Sequence, residues 1–375
     1  MVEWKTYILS EVASFRTGKL DSNAAKSGGK YPFFTCSPDT LRIDDYAFNQ
    51  RAILLAGNNA EGNFSVKYYE GKFNAYQRTY VISVDERIAN IKFVYYALRL
   101  CLKKFKQMSQ GTSTKFLTMS ILNSFKIDLP PIETQNKIVD ILLGLDDKIE
   151  LNNRINHNLE EQAQALYKSW FVDFEPFNGE MPNTWKSGLL SDILRLKHNF
   201  IKADSVGNKP YLPIDIIPMH KLSVDCFAPS DLAQSSLQTF QEDDIVIGAM
   251  RVYFHRVVIA PCSGVTRNTC FVLEPYDKDA LSYCLCVCND DSTIDYAQNT
   301  SKGSTMPYAV WDNGLGNMDV AIPDNESLSK FHSIIYPILT VLKNSYREQS
   351  RLARLRDSIL PELMSGQLNI NEIDC

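Results

Sequence analysis

Two long stretches of the chain carry apolar residues at alternating spacings of four and three positions, which is the pattern of a coiled-coil seam. The second stretch repeats the first at an offset of 193 residues. We predict two long helices that pair antiparallel along this seam. The predicted pairing positions are Ile138, Leu142, Leu145, Ile149, Asn152, Asn156, Leu159, Ala163, Leu166 and Trp170 in the first helix, and Phe331, Ile335, Ile338, Leu342, Ser345, Gln349, Leu352, Arg356, Ile359 and Leu363 in the second.

Polar residues occupy the middle of both seams, where Asn152 and Asn156 are matched by Ser345 and Gln349. Buried polar residues in a seam commonly fix its register. Gly144 aligns with Pro337, and because both residues weaken a helix we expect a bend or break there. A helix over residues 145–174 would be about 45 Å long, more than one small domain needs. The alternative is that each helix lies only on its own neighbouring domain.

A mainly stranded head precedes each helical stretch. In the first head, residues 51–56 and 64–69 flank a polar loop, residues 80–84 form a further strand, and residues 89–105 have helical spacing. In the second head, residues 244–248, 256–260 and 269–273 are the corresponding strands, and residues 280–288 are the helix. These patterns predict an α+β fold with two mixed, β-rich heads.

The start of the chain is repeated in its middle, and the ends of the two heads also match. The repeat predicts a tandem duplication with pseudo-two-fold symmetry. The predicted divisions are a first head at residues 1–128, a first helical region at 129–177, a second head at 178–321 and a second helical region at 322–375. The matching segments are Trp4-Lys5 with Trp185-Lys186, Leu9-Ser10-Glu11-Val12 with Leu190-Ser191-Asp192-Ile193, Gly111-Thr112 with Gly303-Ser304, and Leu129-Pro130 with Ile322-Pro323.

Charge is distributed unevenly over the 375 residues, whose formal net charge is −5. Residues 1–128 contain 18 Lys and Arg against 11 Asp and Glu, whereas residues 178–320 contain 11 against 17. The first head can therefore contact phosphates, while the second head needs a local basic patch to do so. The nine cysteines fit reduced thiols, and the lack of a long apolar run or signal pattern predicts a cytoplasmic protein without membrane contact.

Polar loops in both heads carry the residue types that read DNA. Arg bonds guanine, Asn and Gln bond adenine, and Lys and hydroxyl groups hold phosphates. Each head also contains a small loop with Gly next to Thr or Ser, which suits a close approach to phosphate. The candidate DNA-binding residues are Asn58, Asn59, Asn63, Lys67, Gln77, Arg78, Ser109, Gln110, Thr112, Thr114 and Lys115 in the first head, and Arg251, Tyr253, His255, Arg267, Asn268, Lys302, Ser304 and Thr305 in the second.

Catalytic motifs are missing from the sequence. It has no P-loop, no Asn/Asp-Pro-Pro-Tyr/Phe motif of amino-methyltransferases and no nucleophile elbow, and the five histidines lack ligand spacing. Cys284, Cys286 and Cys288 have no second cysteine pair, so we interpret them as apolar helix residues and predict no metal site. The acidic residues 241–244 are interpreted as a solvated turn. The sequence therefore predicts a non-catalytic chain.

Three segments closely resemble the specificity subunit of type I restriction-modification enzymes: residues 129–138, residues 166–174 and residues 360–366. They read Leu-Pro-Pro-Ile-Glu-Thr-Gln-Asn-Lys-Ile, Leu-Tyr-Lys-Ser-Trp-Phe-Val-Asp-Phe and Leu-Pro-Glu-Leu-Met-Ser-Gly. The resemblance covers the whole chain and is weaker in the heads. Pro337 in the second helix and the acidic second head depart from what the resemblance leads us to expect.

The resemblance implies that each head is a target-recognition domain for one half of a bipartite site in double-stranded DNA. It also implies that the paired helices set the spacer and dock two methyltransferase subunits, which restriction subunits join. S-adenosylmethionine, ATP and Mg²⁺ would belong to these partners, and this chain would bind no cofactor. The alternative function is a coiled-coil protein-interaction scaffold that does not bind DNA.

Overall fold

The computed structural model describes residues 3–368 and divides into two compact units. The first unit comprises Met1–Asp147 with Arg354–Cys375, and the second comprises Lys148–Ala353. Each unit therefore contains one predicted head together with a part of both long helices. The compact units differ from the four predicted divisions because the helices share their apolar faces with the heads.

The first unit has ten strands and four short helices among its described residues. The four short helices are α1 (Leu9–Val12), α2 (Ile91–Leu100), α3 (Leu102–Met108) and α4 (Met119–Ser124). The strands are β1 (Lys5–Ile8), β2 (Ala13–Thr17), β3 (Tyr31–Phe34), β4 (Leu41–Ile43), β5 (Phe48–Ala56), β6 (Asn58–Asn59), β7 (Val66–Ala75), β8 (Thr79–Val84), β9 (Lys115–Phe116) and β10 (Lys126–Leu129).

A six-stranded sheet in the order β2-β8-β5-β7-β3-β4 forms the centre of this unit. Its middle strand β5 has five consecutive buried residues, Ala52 to Ala56, because α2 and the rest of the unit cover both faces. The pairs β1-β10 and β6-β9 form two small separate sheets. The predicted strands at 51–56 and 80–84 are confirmed within β5 and β8, and the predicted strand 64–69 is confirmed from Val66 onward in β7. The predicted helix 89–105 is divided into α2 and α3.

The second unit has ten further strands and three short helices. These helices are α6 (Leu190–Ile193), α7 (Leu281–Cys288) and α8 (Asp291–Asn299). The strands are β11 (Lys186–Leu189), β12 (Leu194–Leu196), β13 (Phe200–Ile201), β14 (Tyr211–Leu212), β15 (Leu237–Phe240), β16 (Ile245–Gly248), β17 (Val257–Ile259), β18 (Gly264–Arg267), β19 (Cys270–Pro275) and β20 (Asp319–Ile322).

One four-stranded sheet of the second unit has the order β12-β19-β16-β17, and another has the order β13-β15-β18-β14. The first order corresponds to β2-β8-β5-β7 of the first unit. The pair β11-β20 likewise corresponds to β1-β10, since Lys186 lies opposite Ile322 and Lys5 lies opposite Leu129. The sheet β13-β15-β18-β14 was not predicted, because its two-residue and four-residue strands leave little periodic signal.

The repeated Trp-Lys and Leu-Ser motifs have the same structural role in both units. In each, a short helix follows the first strand, and its acidic residue accepts a hydrogen bond from the backbone before the helix: Ile8 N donates to Glu11 and Leu189 N donates to Asp192, both at 2.8 Å. Trp4 packs against Phe93, and the buried Trp185 packs against Phe171. The motif thus closes the base of each head.

The two long helices are α5 (Ile132–Phe171, 40 residues) and α9 (Asn325–Ser365, 41 residues). A bend or break was predicted at Gly144 and Pro337, and the break is wrong, because both helices run through these positions. Both residues are solvent-exposed. Because Pro337 has no N–H, the carbonyl of Ser333, which is also exposed, lacks its helical hydrogen bond. Water can therefore satisfy that carbonyl, while Ile335 and Leu339 remain buried on the opposite side.

In the first unit, α5 and α9 share one core with the head. Ile138 and Leu142 of α5 are buried in the same cluster as Leu360 and Leu363 of α9. Arg356 donates to Asp146 at 2.7 Å, so the one predicted seam position that was charged forms an ion pair. The phenol of Tyr96 donates to the other Asp146 oxygen at 2.6 Å, which ties this helix pair to α2.

In the second unit, the same two helices contact each other along their other stretches. The amide of Asn152 donates to Glu348 at 2.8 Å, and Lys148 lies 3.8 Å from the same carboxylate. Gln349, one of the two polar residues of α9 that match Asn152 and Asn156 in the repeat, donates to Ser345 within its own helix. Both helices contribute buried or partly buried residues to one core with the head: Leu159, Ala163 and Leu166 from α5, and Phe331, Ile335, Ile338 and Leu342 from α9.

The remaining predicted pairing residues are partly buried: Leu145, Ile149, Asn156, Trp170, Leu352 and Ile359. The Oδ1 atom of Asn156 is buried without a hydrogen-bond partner. The nearby apolar residues outside the seam, Leu151, Ile155 and Leu355, are exposed. The burial therefore follows the predicted seam.

Two further predictions concern single segments of the second unit. Cys284, Cys286 and Cys288 are buried on α7, and burial raises the pKa of Cys286 to about 12, which confirms their apolar role. The interpretation of residues 241–244 as solvated is wrong for Asp244, which is buried and accepts from Lys197 at 2.9 Å. Asp243 accepts from the buried Lys343 of α9, so the turn anchors that helix.

Candidate nucleic-acid interface

Three separate segments of the first head meet at the end of strand β5. Gly57 N donates to the carbonyl of Arg78 at 2.8 Å, and Leu117 N donates to the carbonyl of Gly57 at 2.9 Å. Strand β6 then pairs with β9, so that Asn58 lies opposite Phe116 and Asn59 opposite Lys115. We call residues 57–63, 76–78 and 109–117 the first loop cluster.

The backbone of the 109–117 loop is closed by reciprocal hydrogen bonds between Gln110 and Phe116, at 3.0 and 2.8 Å. Gly111 has a φ of +100°, and a Cβ atom there would lie 2.1 Å from the carbonyl oxygen of Thr114. Only glycine fits this turn. Ser109, Gln110, Thr112 and Thr114 consequently lie on a compact, small-residue loop next to Lys115.

Arg78 is the exposed cation at the centre of the first loop cluster. Its guanidinium lies 5.3 Å from the centroid of the Phe116 ring, an arrangement that orients a planar cation without consuming its hydrogen-bond donors. Lys106 of α3 adds a second cation and donates to Asn63 at 2.8 Å. Lys106 was not among the predicted residues, although the basic run Lys103, Lys104 and Lys106 was a signal for it.

Several predicted residues of the first head are already engaged. The Oδ1 atom of Asn59 accepts from the backbone N atoms of Glu61 and Asn63, which makes Asn59 an organiser of its turn. Lys67 lies outside the cluster, donates to Thr40 at 3.0 Å and is half-buried; burial lowers its pKa. The Oδ1 atom of Asn58 is buried without a hydrogen-bond partner.

Gln77 lies at the edge of the first loop cluster, where its backbone N donates to Leu20 at 2.9 Å and its amide to Asp21 at 3.3 Å. The Thr17-Gly18-Lys19 segment therefore lies beside it. The exposed Lys19 is a candidate that only the fold brings to this edge.

The second head builds a cluster with the same backbone connections. Ala249 N donates to Thr269 at 2.9 Å, Ala309 N donates to Ala249 at 2.8 Å, and Lys302 and Tyr308 exchange two hydrogen bonds of 2.9 Å. We call residues 249–255, 267–269 and 302–309 the second loop cluster. Gly303 has a φ of +87° at the position that corresponds to Gly111.

The second loop cluster is basic although its head is acidic. It contains the exposed cations Arg251, Arg267 and Lys302, and none of its residues is Asp or Glu. Four acids of this head are paired outside the cluster: Asp244 with Lys197, Glu274 with Arg195, and Glu242 and Asp243 with Lys343. The local patch that the sequence could not identify is therefore present.

The other predicted residues of the second head are divided between surface and interior. Asn268, Ser304 and Thr305 are exposed at the cluster, and Tyr253 is 44% exposed. His255 does not lie at the surface as a DNA-contacting residue would, because its ring is buried and contacts Asn289 and Asp291. Arg251 and His255 both have a left-handed backbone, and the Arg251 side chain is exposed whereas the His255 side chain is buried.

Known proteins are similar to this chain in sequence. A family model described as the type I restriction modification DNA specificity domain matches residues 1–161. The type I restriction enzyme EcoDI specificity subunit of Escherichia coli is 38% identical over 98% of this chain and 89% of its own length. The chain belongs to the type I restriction enzyme specificity subunits.

Two more distant similarities agree with this membership. The MjaIX specificity subunit of Methanocaldococcus jannaschii is 27% identical over 78% of this chain and 72% of its own length. A crystal structure of the S subunit of a type I restriction-modification system from M. genitalium superposes with a TM-score of 0.63 over 96% of each chain at 17% identity, which shows the same fold. Among residues 3–368, neither the long helices nor the short ones provide an apolar span of membrane length.

Proposed function

We propose that this specificity subunit reads a bipartite site in double-stranded DNA, with one loop cluster at each half-site. The observation that carries the proposal is that the same three-segment arrangement occurs in both heads, with Arg or Lys at its surface each time. The second cluster contains three cations although its head has an excess of acids, so we infer that this local positive charge binds a partner. Phosphate backbones are the partner that such a patch attracts.

Within each cluster, the side-chain chemistry divides into base reading and positioning. Arg78 and Arg251 present exposed guanidinium groups, which can bond guanine bidentately in the major groove. The Gly-containing loops bring Lys115 or Lys302 and several hydroxyl groups together, which suits phosphate contact. Gln110 and Asn268 supply exposed amides that can bond adenine, whereas the buried Oδ1 atom of Asn58 excludes that residue from such a contact. His255, Asn59 and Lys67 have structural partners, and we leave them out of the proposed contacts.

The two long helices are proposed to form an antiparallel coiled coil that relates the heads as a pseudo-two-fold tandem repeat. This proposal is supported by the residue pairs that each unit joins: Asp146 with Arg356, and Asn152 with Glu348. Asn152 follows Asp146 along α5, whereas its partner Glu348 precedes Arg356 along α9. This opposite order is the one that antiparallel helices require. The strand order shared by the heads supports the repeat. The coiled coil would set the spacer between the half-sites.

The chain is proposed to act without catalysis of its own. Two methyltransferase subunits would dock on it and restriction subunits would join them, so that methylation and cleavage follow its sequence choice. S-adenosylmethionine, ATP and Mg²⁺ would be bound by those partners. The cytoplasmic location remains a prediction of the sequence.

The test is a DNA-binding titration at several salt concentrations. Arg251→Ala, Arg267→Ala and Lys302→Ala combined should weaken binding and flatten the dependence of log affinity on log salt, since fewer counterions are released. The matched control replaces Lys186, Lys209 and Lys278, which are equally exposed cations of the same unit outside the cluster. Equal effects of the two triple variants would contradict the proposed interface, and salt-independent or absent DNA binding by the unaltered chain would favour the scaffold function.

A further inference from the structure

Two histidines and one aspartate that are far apart in the sequence meet at one point in the second unit. The ring nitrogens of His220 and His255 and a carboxylate oxygen of Asp291 all lie within 4.8 Å of one another. His220 ends an irregular segment, His255 follows a short helical turn at Val252–Phe254, and Asp291 begins α8. The rings of the two histidines are 4.4 Å apart between centroids.

The hydrogen bonds of His255 determine which of its nitrogens is free. Its Nε2 atom lies 2.9 Å from the carbonyl oxygen of Asn289, and a carbonyl oxygen only accepts hydrogen bonds. The proton of a neutral His255 ring must therefore be on Nε2. The Nδ1 atom then presents a lone pair to Asp291 Oδ1, which is 3.3 Å away.

A lone pair facing a carboxylate oxygen is a repulsive contact unless a cation lies with it. That cation can be a proton on Nδ1 or a metal ion. A backbone carbonyl that accepts from the second ring nitrogen is also the usual outer support of a metal-bound histidine. In tetrahedral zinc sites with bonds of about 2.0–2.2 Å, neighbouring ligand atoms are about 3.4 Å apart, so His255 and Asp291 already have a suitable separation.

The backbone around the cluster is held in an uncommon conformation. His220 and His255 have φ values of +54° and +50°, in the left-handed region that few residues other than glycine adopt. His220 N donates to the carbonyl of His255 at 2.8 Å, which joins the two strained positions directly. Strain of this kind concentrates at binding sites.

His220, His255 and Asp291 all line a cavity of about 310 Å³ in the same unit. Lys168 also lines it, but its ammonium group lies 3.2 Å from Asp173, which compensates its charge. Asp290, the neighbour of Asp291, accepts from Ser292 as the cap of α8 and leaves Asp291 as the carboxylate for the site. His220 and Asp291 are exposed, so their side chains can rotate toward a shared ion.

We propose that His220, His255 and Asp291 bind a divalent transition-metal ion of the zinc class. Imidazole nitrogens favour such ions over Mg²⁺ and Ca²⁺, which prefer sites made of oxygen ligands. Three protein ligands leave one position open to the cavity. The ion would join the Val252–Phe254 turn, which carries the base-reading candidates Arg251 and Tyr253, to α8 and to the segment before Lys221.

The experiment is a calorimetric titration of the metal-free chain with ZnCl₂, repeated for His220→Ala and Asp291→Asn. Both substituted residues are exposed, so these variants should retain the fold, which circular dichroism checks. We expect one zinc ion per chain, at least 10-fold weaker binding in each variant, and a thermal unfolding temperature that rises with zinc only in the unaltered chain. His198→Ala is the matched control, because His198 is an exposed histidine of the same unit outside the cluster.

Cobalt substitution identifies the ligands independently. A visible spectrum typical of nitrogen and oxygen ligands supports the site, whereas an intense near-ultraviolet thiolate band, or loss of binding in Cys226→Ser, would assign the ion to the exposed Cys226 and overturn the proposal. If the chain binds no zinc, the cation between His255 and Asp291 is a proton, and the proposed metal site is overturned. These readouts do not involve DNA, so they can fail or succeed independently of the proposed function.

Discussion

Arg78 shows how a single residue becomes suitable for reading a base. Its exposed side chain lies over the Phe116 ring, and its carbonyl accepts from Gly57, so both its backbone and its guanidinium group are fixed while its donors remain available. Preorganised groups lose less entropy on binding, which favours specific contacts. Arg251 corresponds to it chemically in the second cluster, on a left-handed backbone.

Arg78→Ala is expected to weaken specific DNA binding by about 1 to 3 kcal/mol and to relax the sequence preference at one base position. A binding titration against duplexes that vary one position at a time measures both effects. Arg51→Ala is the matched control, since Arg51 is an exposed arginine of β5 that pairs with Glu86. Unchanged affinity and preference in Arg78→Ala would remove this residue from the interface.

Residue types alone predicted part of this site. Asn and Lys in a loop were reasonable DNA contacts, but Asn59 uses its oxygen to hold its own turn and Lys67 bonds Thr40. Its neighbours in the sequence suggested that His255 lies on the surface, whereas its ring is buried against Asn289. Such differences arise from tertiary contacts, which a residue's own position along the chain does not encode.

Among the elements, the two long helices were the easiest to predict. Their seam spans many turns, so periodicity alone identified which residues are buried, even across Gly144 and Pro337. Short strands such as β13 and β14 have no such signal. The partners within the seam were also not predictable, because Asn152 bonds Glu348 rather than the polar residues matched with it by position.

Glu160 is a buried carboxylate of α5 that sequence reasoning did not single out. It accepts hydrogen bonds from Leu222 N and Ser223 N at 3.0 Å and from the Ser223 hydroxyl at 2.7 Å, which fixes α5 on the second head. Burial raises its pKa above the ordinary carboxyl value, and the hydrogen bonds only partly oppose this. The Glu160 carboxylate therefore binds a proton more tightly in the folded state than in the unfolded chain.

From this direction we predict how Glu160 affects stability with pH. Its contribution is fully present below the pKa of an unfolded glutamate and is lost as the pH rises through the raised folded pKa. The free energy of unfolding of the unaltered chain, relative to Glu160→Gln, should fall as pH increases over that interval in chemical denaturation. The exposed neighbour variant Glu161→Gln should show no such trend. If the stability of the unaltered chain relative to Glu160→Gln rose with pH over that interval, the assignment would be contradicted.

At the scale of the whole molecule, the proposed tandem repeat would account for two similar clusters in one chain. The equivalent strand orders and the equivalent loop bonds preserve the arrangement, while the side chains differ, as in Phe116 and Tyr308 or Gln110 and Lys302. Two scaffolds of one kind with different surfaces suit a DNA site whose halves differ. The repeat and the family were recognisable from sequence, but the basic patch on an acidic head required the fold.

The central claim is that paired helices set the distance between two half-sites, and selection of duplexes from a random pool tests it most directly. The unaltered chain with its methyltransferase subunits is compared with a variant that lacks residues 149–155 and 346–352, one matched heptad from each helix. The deletion removes about 10 Å of helix, equivalent to about three base pairs. We predict enrichment of the same two half-sites with a shorter spacer; the same spacer in both proteins, or one uninterrupted motif, would contradict the claim.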